Sequence, residues 1–480
     1  MTAPTARTRT KFPAPFLNVL VNTLFVSVID FTVFFAITFF VYLETRSVFA
    51  TAMIAGLYLV LTSGTGIWFG GLVDHHRKKT MIMQSTAASS VLYAGSLVIE
   101  RTAPAGAFRD VASGRLWLFV VVLMLGVIAG NIRGIAMPTL VTILIDEDRR
   151  DRANGLVGSV QGVSFLVTSV LSGVLVAAGG MFYVLVVALA INVLAMVHLA
   201  RVDVPEKEIV RVEGAAGKTD LRGTYRMVRR TPGLLALILF STFNNFLGGA
   251  FMALMDAYGL SMMSVRAWGF LWGVLSTGLI IGGLLIARIG LGSNPVRTLL
   301  AANLVLWVVT VAFPLQPSVL MLSVGMYVYM LLVPFVEASE QTVLQRVVPL
   351  ERQGRAFGFA QSVEQSASPL TAFLIGPIAQ FLFIPFMTDG AGADLIGGWF
   401  GTGPARGLAL VFILVAIIGL IVTGWALRSR FYRLLSRQYR EAPPEPAVAA
   451  EVPAPVAGPP APGGLPSDPT VPSPDGERAR

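Results

Sequence analysis

The chain has 480 residues, of which 55% are hydrophobic and 13% are charged, and its mean hydropathy is +0.72. A soluble protein of this length cannot hide so much apolar surface in one core, so the composition excludes a soluble protein and indicates a polytopic membrane protein. The absence of cysteine excludes disulfides, thiolate metal sites and thiol chemistry. The formal net charge of +9 would suit nucleic acid, but its distribution along the chain favours the membrane surface instead.

Apolar stretches of about 20 residues recur along most of the chain, and each is long enough to cross a bilayer as a helix. The first is too long for the apolar core of a cleavable signal peptide. The predicted fold is an all-α membrane protein with twelve transmembrane helices in two pseudo-symmetric six-helix bundles. The predicted spans are 15–43, 48–72, 80–100, 115–143, 153–178, 181–200, 233–257, 267–288, 296–314, 318–345, 355–386 and 405–427.

The spans and the segments between them divide the chain into five parts. The basic stretch "DLRGTYRMVRRTP" at 220–232 predicts an amphipathic helix on the inner leaflet. The last residues are rich in Pro and Ala, a composition that is typical of disordered tails. The parts are a cytoplasmic N-terminus at 1–14, a six-helix bundle at 15–200, a cytoplasmic linker at 201–232, a second bundle at 233–430, and a basic segment with a disordered tail at 431–480.

Lysine and arginine are distributed unevenly between the two sets of loops. If the N-terminus lies inside, the internal segments contain most of these cations. The positive-inside rule therefore predicts a multi-pass protein of the cytoplasmic (inner) membrane with both termini in the cytoplasm. The external loops keep only Arg46, Arg101, Arg109, Arg115, Arg266 and Arg406.

Two pairs of similar segments indicate parallel half-repeats. The segment "GLYLVLTSGTGIWFGGLVD" at 56–74 matches "GFLWGVLSTGLIIGGLLIA" at 269–287 without a gap. The segment "DRANGLVGSVQG" at 151–162 matches "GRAFGFAQSVEQ" at 354–365. The second and fifth spans therefore correspond to the eighth and eleventh spans.

The stretch "GGLVDHHRKKT" at 70–80 ends the second span with an acid and several cations. The pattern G-x-L-x-D followed by cations, after the second of twelve spans, resembles the signature of the major facilitator superfamily. The chain is most similar to the branch that contains drug/proton antiporters and siderophore exporters. Gly70, Asp74 and Lys78 occupy signature positions, whereas Arg77 stands where the superfamily usually has glycine.

The resemblance implies a gate at the inner surface. In the superfamily, the acid at the position of Asp74 lies against the start of the eleventh span, here Gly354–Ala356, where free N–H groups and the helix dipole favour an anion. The equivalent of Asp74 in the second half is Ala287, so we expect one acid-dependent latch. Alternatively, Asp74 only ends a helix and the cations only set the topology. The candidate gating residues are Gly70, Asp74, Arg77, Lys78, Arg152 and Arg355.

Two ionisable residues fall near the middle of the membrane, where a charge is costly and usually faces a cavity. Burial favours the neutral carboxyl of Asp30, in the first span, so it is a candidate for proton coupling. Contact with a cationic substrate and a structural polar contact are the alternatives. Arg133, in the fourth span, cannot shed its charge, so we expect it to pair with Asp30 or to snorkel to the inner surface. Asn131 is a candidate to share this site.

Polar residues of the second half are candidates for substrate binding. Asn244 and Asn245 fall near the middle of the seventh span, where they can bind a substrate or hold helices together. Glu337 and Glu340 are three residues apart in the tenth span and share one face, and Glu364 lies in the eleventh span. Among these acids we choose Glu337 as the substrate-binding candidate.

No Walker A motif, catalytic triad or metal-ligand cluster is present in the sequence, so ATP-driven transport and an enzyme are disfavoured, and no cofactor or metal is expected. We predict a secondary transporter that exports a hydrophobic or amphipathic small molecule by alternating access, coupled to protons. Its partners would be the substrate, protons and the lipid bilayer, without nucleic acid, and it would work as a monomer. The alternatives are uptake or facilitated diffusion of a small nutrient and a scaffold that acts through the Pro-rich tail.

Overall fold

The computed structural model describes residues 11–45, 47–104, 106–206 and 221–441, which form helices joined by short loops. In the first half, Asn131 interrupts one helix, which is thus divided into Gly114–Gly130 and Ile132–Leu144. The first-half helices are α1 (Ala14–Thr45), α2 (Val48–His75), α3 (Lys78–Arg101), α4 (Gly114–Leu144) and the long stretch Arg150–Arg201.

The second half follows a short basic helix, α7 (Leu221–Arg230). Its helix α12 runs over Gln353–Ile378, continues through a π-helical turn at Ala379–Phe383 and ends at Ile384–Thr388. The other helices are α8 (Leu234–Leu260), α9 (Val265–Ile289), α10 (Pro295–Ala312), α11 (Val319–Val347), α13 (Ala391–Phe400), α14 (Pro404–Arg428) and α15 (Arg430–Glu441).

The long stretch Arg150–Arg201 holds two membrane helices. Gly179 (φ −178°, ψ 34°) and Gly180 (φ 64°, ψ −151°) leave the helical conformation, and the positive φ of Gly180 is one that glycine adopts without strain. We therefore divide the stretch into α5, residues 150–178, and α6, residues 181–201.

Contacts with α1 show that the chain reverses between α5 and α6. The Thr168 hydroxyl donates to the Val28 carbonyl at 3.1 Å, and the Asn22 amide donates to the Ala195 carbonyl at 2.8 Å. A straight helix would separate residues 168 and 195 by about 40 Å, whereas residues 22 and 28 of α1 are only about 9 Å apart. The two contacts are therefore possible only if α6 folds back beside α5.

Eleven helical segments of the described chain are long and apolar enough to cross a membrane. One of them, Glu147–Arg201, contains both α5 and α6. With that segment counted as two helices, the described residues account for the twelve predicted spans. The predicted fold class is confirmed.

Polar side chains fix where several helices begin. The side-chain oxygen of the residue before the helix accepts a hydrogen bond from a backbone N–H of the first turn, which otherwise has no partner. These N-cap residues are Ser47 before α2, Ser264 before α9, Asn294 before α10 and Ser318 before α11.

Both ends of the described chain lie on one face of the helix bundle, which we call the terminal face. Near the N-terminus, the Arg149 guanidinium lies 4.6 Å from the centre of the Phe12 ring. Near the C-terminus, the Asn294 amide donates to the Ser436 hydroxyl of α15 at 2.7 Å. An ion pair between the loop before α5 and the end of α11 joins the two regions.

The two halves meet through α2 and α12 on one side and through α5 and α9 on the other. The internal repeat pairs Gly70 with Gly283 and Gly155 with Gly358. In the structure, Gly70 lies against Gly358 and Gly283 lies against Gly155, so equivalent residues make equivalent contacts. The backbones can approach closely because glycine has no side chain. A Cβ at any of these four positions would overlap the facing helix.

Two surface helices lie on the terminal face. Helix α7 falls within the predicted basic segment 220–232. Helix α15 occupies a segment for which the sequence analysis predicted only basic character, and its Leu435 packs against Gly233 at the start of α8. On the opposite face, α13 is a further short helix that the sequence analysis did not predict.

Some predictions concern segments outside the described residues. They include the external cation Arg46 and most of the disordered tail. The segments outside are 1–10, residues 46 and 105, 207–220 and 442–480.

Candidate functional site

A central cavity of about 590 Å³ lies between the two halves. This volume is typical of sites that bind small molecules, which span roughly 300–1,000 Å³. Its wall is formed by α1, α2, α4 and α5 from the first half and by α8, α10, α11 and α12 from the second half. The predicted coupling and substrate-binding residues all line it: Asp30, Asn131, Arg133, Asn244, Asn245 and Glu337.

Asp30 lies half-buried in the middle of α1. The hydroxyl of Tyr93, a fully buried residue of α3, donates to Asp30 Oδ1 at 2.9 Å. The carboxyl rests against Gly130 of α4, where any Cβ would overlap it. No Lys or Arg of the described chain forms an ion pair with it within 4.0 Å.

The expected ion pair between Arg133 and Asp30 is not formed. Arg133 is only 4% exposed, so it does not snorkel to the surface either. Its Nη1 donates to Asn22 Oδ1 at 2.9 Å and to Thr23 Oγ1 at 3.3 Å, and its Nη2 donates to Thr86 Oγ1 at 3.0 Å. The Arg133 guanidinium is therefore hydrogen-bonded to neutral acceptors on α1 and α3, and the Asp30 carboxyl is hydrogen-bonded to Tyr93.

Asn131 sits at the break in α4. Its Nδ2 donates to Thr62 Oγ1 of α2 at 3.2 Å. The break is a tight turn in which the Asn131 N–H donates to the Ile128 carbonyl and the Gly134 N–H donates to the Asn131 carbonyl, both at 3.0 Å.

Asn244 and Asn245 of α8 contact neighbouring helices, the first through its side chain and the second through its backbone carbonyl. Asn244 Nδ2 donates to the Phe240 carbonyl at 2.8 Å, and Trp307 Nε1 of α10 donates to Asn244 Oδ1 at 3.0 Å. The backbone carbonyl of Asn245 accepts from the Ser368 hydroxyl of α12 at 3.2 Å. These contacts hold α8 against α10 and α12.

Three carboxyl groups of the second half face the cavity. Glu337 is exposed to it, Glu364 is half-buried and Glu340 is buried. Oε1 of Glu340 and Oε1 of Glu364 are buried without a hydrogen-bond partner among the described residues.

On the terminal face, α2 is fastened to the start of α12. Asp74 is 7% exposed, and its two carboxylate oxygens accept hydrogen bonds from Gly354 N at 2.6 Å and Arg355 N at 3.0 Å. The Arg355 side chain lies 3.5 Å from the same carboxylate and also contacts His75. A carboxylate therefore caps the positive end of a helix that belongs to the other half.

The structure has a second acid contact between the halves, in addition to the one at Asp74. Asp151, at the start of α5, accepts a hydrogen bond from Leu291 N at 2.7 Å, just after α9 ends. The internal repeat pairs Asp151 with Gly354 and Ala287 with Asp74. The second interface thus has its acid on the opposite helix of the pair, which comparing Asp74 with Ala287 could not reveal.

Further polar contacts join the two halves between the cavity and the terminal face. Asn154 Nδ2 donates to Thr342 Oγ1 at 2.9 Å and to Gln345 Oε1 at 2.8 Å. Gln345 Nε2 donates to the Pro138 carbonyl at 2.9 Å. All of these atoms are buried, so the cavity is closed towards the terminal face in this structure.

The other predicted gating residues lie around these contacts. Arg77 is exposed just before α3. The backbone N–H groups of Lys78 and Lys79 donate to the Glu206 carboxylate at 2.6 and 2.8 Å. Arg152 lies beside Gly290, at the second acid contact rather than at Asp74.

The sequence profile of the Major Facilitator Superfamily matches residues 19–372. The match spans most of both six-helix halves. The chain belongs to the major facilitator superfamily. As a superfamily transporter it is a multi-pass membrane protein, in agreement with its helices.

Macrolide efflux proteins are among its relatives. Macrolide efflux protein A of Streptococcus pyogenes is 23% identical over 359 residues, which cover 71% of this chain and 83% of that protein. Macrolide efflux protein A of Enterococcus faecalis is 23% identical over 321 residues, 63% of this chain and 92% of that protein.

Solved structures of other superfamily transporters share the fold. A bacterial homologue of the iron transporter ferroportin, in an outward-facing state, aligns with a TM-score of 0.63 at 16% identity over 87% of this chain and 100% of that chain. The human organic anion transporter MFSD10 aligns with a TM-score of 0.62 at 13% identity over 86% of this chain and 100% of that chain. At these identities the likeness shows the fold alone.

Three residues of this superfamily transporter have contacts that the sequence analysis did not foresee. They are Tyr93 on Asp30, Asp151 on the second interface and Glu206 at the start of α3. Of these three contacts, only that of Asp151 could have been suspected from the sequence, because the internal repeat pairs Asp151 with Gly354.

Proposed function

We propose that this superfamily transporter, which is not an enzyme, exports a hydrophobic or amphipathic small molecule across the cytoplasmic membrane in exchange for protons. The observation that carries the proposal is the environment of Asp30. Its carboxyl faces a cavity shared by both halves, without an ion-paired cation among the described residues. The Tyr93 hydroxyl can donate to the carboxylate or accept from the carboxylic acid, so either protonation state keeps its hydrogen bond.

The proposed orientation places the terminal face in the cytoplasm. That face carries the cation clusters at 77–79, 149–152 and 428–440, together with the arginines of α7. The opposite face carries few described cations, among them Arg101 and Arg406. This asymmetry supports cytoplasmic termini through the positive-inside rule.

In the proposed cycle, the cavity closed at the terminal face is open towards the exterior. Arg133 keeps its charge in every state, whereas the carboxyl of Asp30 can gain or lose a proton. Protonation therefore changes the net charge that the first half presents to the cavity. We propose that this change, together with substrate binding, sets how readily the contacts of Asp74 and Asp151 break as the halves rock.

The substrate class follows from the cavity wall and from the relatives. Phe31, Phe34, Tyr58 and Trp307 supply aromatic surface between the polar groups. The relatives are named for macrolide efflux, and macrolides are large, mainly apolar molecules with polar groups. We propose that this chain exports such molecules as a monomer.

The test uses inside-out membrane vesicles with an imposed pH gradient and radiolabelled erythromycin as the probe. Wild type should accumulate the probe when the lumen is acidic and lose it when an uncoupler is added. Asp30→Asn removes the titrating group, so gradient-driven accumulation should fall at least about tenfold.

Asp389→Asn is the matched control, because Asp389 is an exposed acid on the opposite face. It should accumulate the probe like wild type. Undiminished gradient-driven accumulation by Asp30→Asn would overturn the role of Asp30. Wild-type vesicles that show no gradient-driven accumulation would overturn the proposed transport of macrolides.

A further inference from the structure

Two short helices on the terminal face carry a large excess of positive charge. Helices α7 and α15 together contain eight arginines and a single acid, Glu441. All eight arginines are exposed, and none forms an ion pair with an acid of the described chain. Their exposed sides form a basic surface that attracts anions, which we call the arginine surface. Its cations are Arg222, Arg226, Arg229, Arg230, Arg430, Arg433, Arg437 and Arg440.

The arginine surface also contains exposed apolar side chains. The arginines of α15 recur at intervals of three or four residues and so share one side of the helix, whereas Leu435 and Ser436 on the other side are buried. Phe431 and Leu434 are 37% and 42% exposed beside these arginines, and Tyr225 is 46% exposed among those of α7. Cations next to exposed aromatic and aliphatic side chains are typical of helices that lie at a membrane interface.

Both helices lie at the level where neighbouring spans leave the bilayer. Helix α7 ends at Arg230, and the span α8 begins at Leu234. The span α14 ends at Arg428, and only Ser429 separates it from α15. Trp425, in the last turn of α14, is 66% exposed, and exposed tryptophan is typical of the boundary between hydrocarbon and headgroups. The arginine surface is therefore at the depth of the lipid headgroups.

Helix α15 also contacts a residue that joins the two halves. Arg346 Nε of α11 donates to the Tyr439 carbonyl in the last turn of α15 at 3.3 Å. The end of a helix carries partial negative charge, which favours a guanidinium there. Arg346 also forms the ion pair with Glu147 of the first half. The position of α15 therefore affects a contact that closes the terminal face.

We propose that the arginine surface binds the headgroups of anionic phospholipids, and that bound headgroups hold α15 where it supports Arg346. Anionic lipid thereby stabilises the state that is closed at the terminal face. Lipid is favoured over nucleic acid because the surface lies beside the spans, where a leaflet already surrounds it. The inference goes beyond the proposed function, since it requires neither proton coupling nor a macrolide substrate.

The first experiment measures which lipid gathers at α15. The full-length chain has no cysteine, so Glu441→Cys places one donor fluorophore at the end of this helix. The protein is reconstituted in phosphatidylcholine nanodiscs that contain traces of either phosphatidylglycerol or phosphatidylcholine with the same acyl-chain acceptor. Energy transfer should show phosphatidylglycerol enriched about fivefold near the donor, the factor expected from one arginine at an anionic headgroup surface.

A variant of α15 tests whether its arginines cause this enrichment. Arg430→Gln, Arg433→Gln and Arg437→Gln together should reduce the enrichment to less than about twofold. Monodisperse gel filtration of each variant separates lost binding from misfolding. The matched control should keep the wild-type enrichment, because it removes three exposed arginines of the terminal face that lie outside both helices: Arg201→Gln, Arg288→Gln and Arg352→Gln.

The second experiment measures closure of the terminal face in the same lipids. Spin labels on Asp148→Cys and Glu351→Cys, which are exposed residues of the first and second halves, report the distance across this face. Phosphatidylglycerol mixed equally with phosphatidylcholine should raise the ratio of short to long distances about fivefold over phosphatidylcholine alone. The α15 variant should lose this response, and the control variant should keep it.

Equal energy transfer to the two lipids in wild type would overturn the lipid assignment, and so would enrichment that survives loss of the α15 arginines. Enrichment that appears only after deletion of residues 442–480 would instead assign the surface to the end of the chain itself. Binding of an RNA oligonucleotide without lipid enrichment would assign it to nucleic acid. Normal enrichment with distances that do not respond to the lipid would overturn the link to closure. All of these results are independent of transport.

Discussion

At the residue scale, the closed terminal face uses one carboxylate in each interface, at positions that the repeat does not pair. Asp74 reaches across from α2 to the first turn of α12, whereas Asp151 starts α5 and reaches across to Leu291 after α9. In both, a carboxylate of one half accepts from a backbone N–H of the other half. The two interfaces therefore have the same kind of acid contact, although the two acids occupy different places in the repeat.

Asp74→Asn should favour the state that is open at the terminal face. The amide keeps an acceptor but loses the charge that strengthens the bonds from Gly354 N and Arg355 N. A loss of about 1–2 kcal/mol would raise the open population roughly fivefold to thirtyfold. The chain has no cysteine, so Gln361→Cys, in the cavity wall, gives a single labelling site for an impermeant maleimide.

Labelling is measured in inside-out vesicles, where the reagent reaches the face proposed to be cytoplasmic. Asp148→Asn in the same single-cysteine background is the control, since Asp148 is an exposed acid of the neighbouring loop. Equal labelling rates for the Asp74 and Asp148 variants would show that the Asp74 contact does not hold the gate.

Sequence reasoning found the polar residues of the cavity but could not give their partners. Depth along a helix placed Asp30 and Arg133 correctly in the cavity wall, because the helical rise is fixed. It could not show that the guanidinium faces Asn22 and Thr86, since a long side chain has several directions open to it. That Glu340 and Glu364 line the same cavity likewise depends on the rotation of two helices that are adjacent only in the fold.

At the scale of elements, glycines decide how closely the two halves approach. Gly70 lies against the backbone of Gly354 and Gly358, whereas Gly71 has nothing within 4 Å of an added Cβ. Gly70→Ala should therefore force α2 and α12 apart, at a cost of about 1–3 kcal/mol in the closed state. Gly71→Ala is the matched control and should leave the closed state unchanged.

The measurement is the maleimide labelling rate of the Gln361→Cys site in both alanine variants. Gly70→Ala should label faster than wild type and Gly71→Ala at the wild-type rate. Identical rates for the two variants would mean that α2 and α12 do not need the close approach, and would contradict the packing argument.

The elements themselves were largely predictable, because a membrane requires long apolar helices and the runs of apolar residues set their length. The two helices that were not predicted, α13 and α15, lie outside those runs. α15 repeats the basic, amphipathic pattern that identified α7, and only Ser429 separates it from the last span. The contact of Leu435 in α15 with Gly233 is a tertiary contact, and the hydropathy of the segment does not predict it.

At the scale of the whole molecule, one face holds the contacts between the halves that would have to break in the proposed cycle. Acid caps, glycine contacts and the Asn154–Gln345 hydrogen bonds all lie between the cavity and the terminal face. Glu147 of the first half and Arg346 of the second also form an ion pair there. Because each contact is between halves, fixing any one of them covalently should stop the rocking motion that alternating access requires.

Glu147→Cys with Arg346→Cys tests this in the otherwise cysteine-free chain. A short bifunctional methanethiosulfonate reagent should link the two thiols in the closed state, which is seen as protection from maleimide labelling. The linked protein should lose gradient-driven erythromycin accumulation, and a reductant should restore it, because only the movement of the halves has been blocked. Each single-cysteine variant, given the same reagent, should keep transporting, which accounts for the loss of the ion pair itself. A linked double variant that transports at the unlinked rate would mean that the two halves do not separate at this face, and alternating access through it would have to be abandoned.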